Sequence, residues 1–239
     1  MKNKNRFYYN KEFLGSPDGR PIRILAEYFG PIQKIKKSKI KDTIVFFGSA
    51  RTKEKQPTYK LAEKLSYELT KWSISLKDKK RRFIITSGAG PGIMEAANKG
   101  ASRAGGITMG LGITLPFEQE NNSWISKELD FSFHYFFMRK FWFLYLAKGI
   151  VVWPGGVGTL DELFEVLTLI QTKKIKKELP IVLFDSKFWN TLINWEFLVK
   201  QRVIDKNDLN LFLITDSIDE AFQFLTTSIM NRKLSGPNF

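Results

Sequence analysis

An α/β fold is predicted for this chain: one doubly wound domain, with a parallel sheet flanked by helices. Three observations carry that reading. Short apolar runs alternate with amphipathic stretches from Asp42 onward, and such alternation implies parallel strands joined by right-handed crossovers. Three of the runs end in glycine turns, at Gly48, at Gly88 to Gly92 and at Gly155 to Gly158. No internal repeat, low-complexity tract or Pro/Ser-rich linker divides the 239 residues, a length that suits one α/β domain with extensions. The architecture expected is therefore Rossmann-like.

Taken in order, residues 1–41 precede the first convincing strand and read as an N-terminal extension that packs on the domain formed by residues 42–239. About 40 residues seldom sustain a core alone. Within them, Pro21 to Phe29 predicts a short amphipathic helix closed by Gly30-Pro31. Asp42 to Ala50 is the first buried strand, and Pro57 opens a helix through Trp72 with Tyr59, Leu61, Leu65 and Leu69 on its apolar face. Arg82 to Thr86 is the second strand, followed by a helix from Ile93 to Arg103 that Gly105-Gly106 terminates. Ile107 to Leu115 is the third strand, and a polar loop runs from Pro116 to Lys127. A fourth strand spans Phe131 to Phe136, and an aromatic-rich helix spans Met138 to Lys148. After the next strand and helix come a strand at Leu179 to Phe184, a helix from Lys187 to Val203, a strand at Leu209 to Thr215 and a helix from Ser217 to Met230.

The most informative stretch is Gly149 to Lys173. Ile150 to Trp153 reads as a strand covered on both faces. It stops at Pro154-Gly155-Gly156-Val157-Gly158-Thr159, and a helix follows with Leu160, Leu163, Phe164, Leu167 and Ile170 at spacings of three and four. Strand, glycine turn and helix N-terminus together aim free N–H groups and the positive end of a helix dipole at an anion. Thr159 can add a hydroxyl there or cap the helix. Asp161 and Glu162 are expected in the first helical turn, where the dipole favours carboxylates, so both have a purely structural reading. Ligands of such sheets bind outside the carboxyl ends of the strands, and all three glycine turns fall there.

The glycine loops are not those of two better-known chemistries. Gly88-Ala89-Gly90-Pro91-Gly92 lacks the third glycine of a dinucleotide fingerprint, because Ile93 stands in its place, and no acid follows at the required distance. The later turn has no lysine after its last glycine and so is no P-loop. His134 is the only histidine, which excludes multi-histidine metal clusters, and with no cysteine there are no disulfides or thiolate sites. It reads as a packed or hydrogen-bonded imidazole. A hydrophobic fraction of 43% is ample for a core. No run approaches the roughly 20 apolar residues of a membrane span, and MKNKNRFYYN lacks the apolar segment of a secretory signal. A soluble, cytoplasmic protein is expected. The net charge of +14 admits nucleic acid, an anionic surface or phosphorylated small molecules. Its clusters at Lys34 to Lys41, Lys77 to Arg82 and Lys173 to Lys177 fall at expected loops or element ends, where a solvated face suffices.

Phe136-Phe137-Met138-Arg139-Lys140 sets two cations at the start of an apolar helix, which opposes the dipole unless an anion lies nearby. Arg139 can snorkel to solvent, or serve as a fork donor to a phosphate or carboxylate. Pro154 to Glu162 resembles the PGGxGTxxE motif of the Lonely Guy family of nucleoside 5′-monophosphate phosphoribohydrolases, many formerly labelled lysine decarboxylases. Arg139-Lys140 resembles the family's second signature, an Arg-Lys pair on the preceding helix. The resemblance runs from about Asp42 to Phe184. HYFFMRK and GRPIRILAEY are similar to a bacterial branch with an N-terminal extension.

By that resemblance Arg139 and Glu162 would be catalytic. Substrate binding would fall to Lys140, to Pro154, Gly155, Gly156, Val157, Gly158 and Thr159, and to Ser49 in the Gly48-Ser49-Ala50-Arg51 segment. The same follows for Gly88, Gly90, Gly92 and Met94 in the segment Ser87 to Ala96, and for Glu118 in Leu115-Pro116-Phe117-Glu118. Glu118 can equally be a solvated loop acid. Thr168, two turns beyond Leu160, would line the site or satisfy its own helix backbone.

The resemblance implies hydrolysis of the N-glycosidic bond of AMP or an N6-modified AMP of the cytokinin type, giving free base and ribose 5-phosphate. It implies no metal or other cofactor, and a homodimer whose interface would use Phe137 to Leu146 unless that helix is buried in the monomer. A nucleotide or phosphorylated-cofactor carrier on the same fold is the alternative, and a nucleic-acid-binding protein is a third. Decarboxylation would need a pyridoxal phosphate lysine, and no spacing singles out Lys140 or Lys148.

Overall fold

The computed structural model describes residues 6–78, 81–115, 120–175, 179–231 and 236–238. Among the described residues a 3-10 turn (Phe7–Tyr9) and two α-helices precede the sheet, α1 (Lys11–Gly15) and α2 (Arg20–Lys37). The second does not end at Gly30-Pro31 as predicted, and Pro31 lies buried inside it. Proline removes the N–H that would bond the carbonyl four residues earlier, here that of Glu27. The indole Nε1 of Trp142 donates to that carbonyl at 2.9 Å instead. A partner 115 residues away in sequence thus lets the helix continue through its own breaker.

The sheet then builds up in alternation. β1 (Thr43–Phe47) leads to α3 (Pro57–Ser75), β2 (Ile84–Ser87), α4 (Ile93–Arg103), β3 (Thr108–Ile113) and β4 (Asp130–Phe133). Next come α5 (Phe136–Tyr145), β5 (Ala147–Val152), α6 (Val157–Gln171) and β6 (Ile181–Phe184). α7 (Ser186–Leu192), α8 (Trp195–Lys200), β7 (Phe212–Thr215) and α9 (Ile218–Met230) complete the order. The strands lie in the order β4-β3-β2-β1-β5-β6-β7, and every described pairing is parallel. This is the doubly wound sheet expected from the alternation. Its direction of winding reverses at β1, which pairs with β2 on one side and β5 on the other.

Side-chain alternation along each strand divides the core in two. Ile44 and Phe46 face α3, α4 and α9, with Leu65, Ala97 and Leu225 among the partners. Val45 and Phe47 face α2, α5, α6 and α7, with Ile35, Trp142, Leu163 and Trp189. Both faces of the central strands are closed, which is why they read as unbroken apolar runs.

Further boundaries differ from the sequence expectation, each for a specific physical reason. The fourth strand stops at Phe133 rather than Phe136, because the Glu27 carboxylate takes the backbone N–H groups of His134 and Tyr135. The aromatic helix accordingly starts two residues early and ends at Tyr145. Lys148 belongs to β5, where its buried ammonium donates to Gly236 O at 2.9 Å and Asn238 Oδ1 at 3.1 Å. The single helix predicted from Lys187 to Val203 is two, because the Asn194 side chain caps a new start by accepting from Phe197 N at 2.9 Å. Before β7, Lys206–Leu211 forms a 3-10 turn under an Asp205–Asp208 capping box rather than strand.

Candidate functional site

The carboxyl ends of β1, β2, β3 and β5 open into a cleft of about 630 Å³, at the point where the sheet reverses its winding. Ser49 ties its walls together: its N–H donates to Pro154 O at 3.0 Å and its carbonyl accepts from Ile93 N at 3.0 Å. The end of β1 thereby touches both the β5 turn and the start of α4. Such contact demands glycine at Gly92, where φ is +69° and an added Cβ would fall 2.3 Å from Ser49 O.

A buried polar network holds the Gly88–Gly92 loop. Asn98 accepts from Ser87 Oγ at 2.6 Å and from Asn122 Nδ2 at 3.0 Å, and donates to Thr108 Oγ1. Asn122 in turn donates to the carbonyls of Ala89 at 3.0 Å and Gly90 at 3.1 Å. Every bond points at keeping one loop shape, with Ala89 held at φ +68°. Neither asparagine has a local sequence signal, because its partners lie on other elements.

On the β5 side, Gly156 is the N-cap of α6, and Val157, Gly158 and Thr159 turn toward the cleft. Thr159 is buried against Gly155, where a Cβ would strike its hydroxyl. α6 starts at Val157, so Asp161 and Glu162 stand in its second turn rather than its first. The dipole effect fades beyond the first turn, and the helix-start explanation for Glu162 goes with it. Glu162 is only 5% exposed, and its Oε2 has no hydrogen-bond partner among the described residues. Burial lifts its carboxyl from an ordinary 4.5 to about 7, against the opposing pull of Lys140 and Arg139.

α5 brings Phe136, Arg139 and Phe143 to the opposite wall. The Arg139 guanidinium lies over the rings of Phe136 and Phe143, 5.2 and 5.5 Å from their centres, a cation–π arrangement that fixes a long side chain. Its Nε is buried without a partner among the described residues. Burial draws its proton affinity down while Glu162 and Asp161 oppose that. Arginine remains a cation at that site.

Of the residues singled out from sequence, Ser49, Gly88, Gly90, Met94 and Arg139 line the cleft, and so do Gly156, Val157, Gly158, Thr159 and Glu162. Gly92, Pro154 and Gly155 shape the backbone behind it without lining it. Lys140 does not reach the cleft: its ammonium sits between Asp161 Oδ2 at 2.9 Å and Glu165 Oε2 at 2.7 Å on α6. Those bonds raise its affinity for a proton although burial opposes them. Thr168 turns away from the cleft and donates to Phe164 O at 2.7 Å, the backbone alternative. Glu118 lies outside the described residues. The lone His134 is exposed, with its ring edge-on to Tyr135.

Sequence reasoning missed the apolar wall, Phe47, Ile113, Leu115, Phe136 and Phe143, and the polar Arg51, Glu120 and Asn121. Of these, Arg51, Leu115 and Phe136 lie inside stretches that point here. One wall of the cleft is thus amide-rich with a buried carboxylate, and the other is aromatic and carries the Arg139 cation. A phosphorylated ligand with a flat apolar group fits both. Lys148 in β5 and Lys140 on α5 stay outside the cleft, so neither stands where a Schiff-base lysine would.

The fold and the site define a doubly wound α/β protein with a glycine-lined cleft at its switch point. The chain belongs to the family described as possible lysine decarboxylase, whose family model matches residues 94–225. The cleft lies only partly within that span, since β1 and the Gly88–Gly92 loop precede it. Comparison with curated proteins gives no match. Among solved structures, the chain is similar to the structural-genomics target TM1055, at 22% identity and a TM-score of 0.56, covering 78% of this chain and 99% of that one. It is also similar to the Moco carrier protein from Chlamydomonas reinhardtii, at 17% identity and TM-score 0.56, covering 80% and 99%. A molybdenum cofactor binding protein from the phototrophic bacterium Rippkaea orientalis aligns at 21% identity and TM-score 0.51, covering 79% and 98%. At these identities the likeness shows the shared fold. Among the described residues no helix is long and apolar enough to cross a membrane, and no cluster of acidic and histidine side chains could hold a metal.

Proposed function

We propose that the chain hydrolyses the N-glycosidic bond of nucleoside 5′-monophosphates, releasing a free base and ribose 5-phosphate. The observation that carries this reading is Glu162. Burying a carboxylate oxygen without a partner is costly, and a protein that merely carries an anionic ligand gains nothing from a second negative group beside it. A carboxyl raised to about 7, in a cleft and facing a cation, is suited to proton transfer near neutral pH.

In this proposal the amides of Gly156, Val157 and Gly158 and the Thr159 hydroxyl hold the 5′-phosphate at the α6 N-terminus. The base lies against the aromatic wall, between Phe136 and Phe143. As the glycosidic bond breaks, its electron pair leaves with the base and positive charge grows on the ribose. Ionised Glu162 stabilises that charge and takes a proton from the attacking water, whose oxygen bonds to the anomeric carbon. Arg139 balances Glu162 and hydrogen-bonds the leaving base without losing its own proton, and the proton that Glu162 took from water passes to the base, so the base departs neutral and Glu162 is again ionised. Family resemblance favours adenine or an N6-modified adenine, and a homodimer is proposed on the same ground.

A second reading is a carrier of a phosphorylated cofactor. The Moco carrier and molybdenum cofactor binding proteins of similar fold favour it. The test is incubation with AMP, GMP, CMP, N6-isopentenyl-AMP and the matching nucleosides, beside Glu162→Gln and Arg139→Ala. Release of base from monophosphates alone, lost in both variants, is expected. Binding of nucleotides without release, indifferent to Glu162→Gln, supports the carrier.

A further inference from the structure

α5 carries three residues of the cleft, yet its own sequence gives it no side-chain cap: Tyr135, at the N-cap position, makes no such bond. The opening N–H groups of a helix otherwise have no partner. The N-terminal segment instead holds the two residues that lead into this turn, from over a hundred residues away. Glu27 of α2 accepts from His134 N at 2.7 Å through Oε1 and from Tyr135 N at 3.2 Å through Oε2. Farther along α5, Trp142 donates to the Glu27 carbonyl, the one that Pro31 leaves free.

Its neighbours reinforce the grip. Tyr28 packs on the rings of Phe141 and Trp142, 5.5 and 6.3 Å between centres. Arg23, one turn earlier on α2, reaches the Tyr135 hydroxyl at 3.3 Å and Ser16 O at 2.8 Å. One residue therefore holds the start of α5 with its side chain and the middle with its backbone. Charge acts in the same direction. Arg139 and Lys140 stand in the half of α5 where the dipole disfavours cations, and the Glu27 carboxylate supplies an anion at that end. An anion at the start of this cation-bearing helix is thus partly built in.

We propose that Glu27 is a positioning residue: it fixes the start of α5 and so aims Arg139 at Glu162 across the cleft. This inference rests on the phosphoribohydrolase reading and gives the N-terminal segment a part in it. The link is short. Arg139 N donates to Tyr135 O at 3.2 Å, so a shift of the Tyr135 peptide is passed directly to the turn that bears the guanidinium. Misplacing a catalytic group by about 1 Å can cost on the order of 10²-fold in rate.

The test compares the full chain with Glu27→Ala, Glu27→Asp and a control, Leu65→Ala, whose side chain is buried on the opposite face of the sheet. Three quantities are read: kcat and KM with AMP, melting temperature, and amide hydrogen exchange over residues 134–143. For Glu27→Ala a roughly 10–100-fold fall in kcat is expected, with a smaller rise in KM, because the phosphate cradle on α6 is untouched and only the Phe136 edge of the base wall moves with the helix start. Amides 134–139 should exchange faster while β1 and β5 do not change, and Glu27→Asp should recover much of the rate. A kcat within about twofold of wild type, or a loss that Leu65→Ala matches, overturns the proposal. If wild-type protein turns over no nucleotide, the hydrolase reading fails by itself. Exchange then decides the role of Glu27: faster local exchange supports the grip on α5, and unchanged exchange removes it.

Discussion

Replacing Glu162 by glutamine should stabilise the protein at alkaline pH while abolishing its activity. Glu162 is 5% exposed, and burial raises its pKa from 4.5 to about 7 despite Lys140 and Arg139. At about 1.4 kcal/mol per pH unit, ionising it costs the folded state about 3 kcal/mol. The sign follows from proton binding. Between 4.5 and about 7 the folded chain holds a proton here that the unfolded chain has released, so stability falls as pH rises through that window and levels off above it. Glutamine never ionises, and its pH profile lacks this slope. Urea unfolding of both proteins at about pH 4.5 and about pH 8 measures the difference. Relative to wild type, Glu162→Gln should gain about 3 kcal/mol between the two conditions, or about 10 °C in melting temperature for a chain of this size. A stability difference independent of pH would mean that Glu162 ionises as an exposed acid does. The basis for its proton-transfer role would then be gone.

Three further outcomes follow from the same geometry. Arg139→Ala should lower kcat by about 10²–10³-fold with the circular dichroism spectrum unchanged; a loss confined to nucleotide affinity would restrict Arg139 to binding. Asn98→Leu leaves Ser87 Oγ, Thr108 Oγ1 and Asn122 Nδ2 short of a buried partner and should cost roughly 2–4 kcal/mol in chemical denaturation, with weaker AMP binding as the Gly88–Gly92 loop loosens. Gly92→Ala forces a Cβ toward Ser49 O at a φ of +69°, and a loss of at least about 1–3 kcal/mol is expected; wild-type stability would show that the β1–α4 contact relaxes freely.

How much of this was legible in the sequence depends on how far each signal reaches. The alternating pattern and the three glycine turns were local, and they foretold the parallel sheet and the strand ends at which the cleft opens. Arg139 stood out as a cation at the start of an apolar helix and Glu162 through the family resemblance, and both face that cleft. What failed to show depended on distant partners. Pro31 reads as a helix stop until Trp142 covers the Glu27 carbonyl. His134 and Tyr135 read as strand until Glu27 takes their N–H groups. Lys140, adjacent to Arg139, appeared equally poised for an anion, but a one-residue step around a helix turns a side chain by about 100°, and it meets Asp161 and Glu165 instead. Within the aromatic helix expected as a partner surface, Phe141 and Trp142 pack on the chain's own Tyr28, while Phe137 stays exposed.

Hydrolysis rather than carriage is the central claim, and one mixing experiment separates them. Protein and a tenfold excess of AMP would be incubated near neutral pH, and adenine, ribose 5-phosphate and remaining AMP quantified together. Adenine and ribose 5-phosphate in equal amounts, exceeding the protein present, are the expected result. AMP recovered intact, with one equivalent bound to the protein, would contradict it.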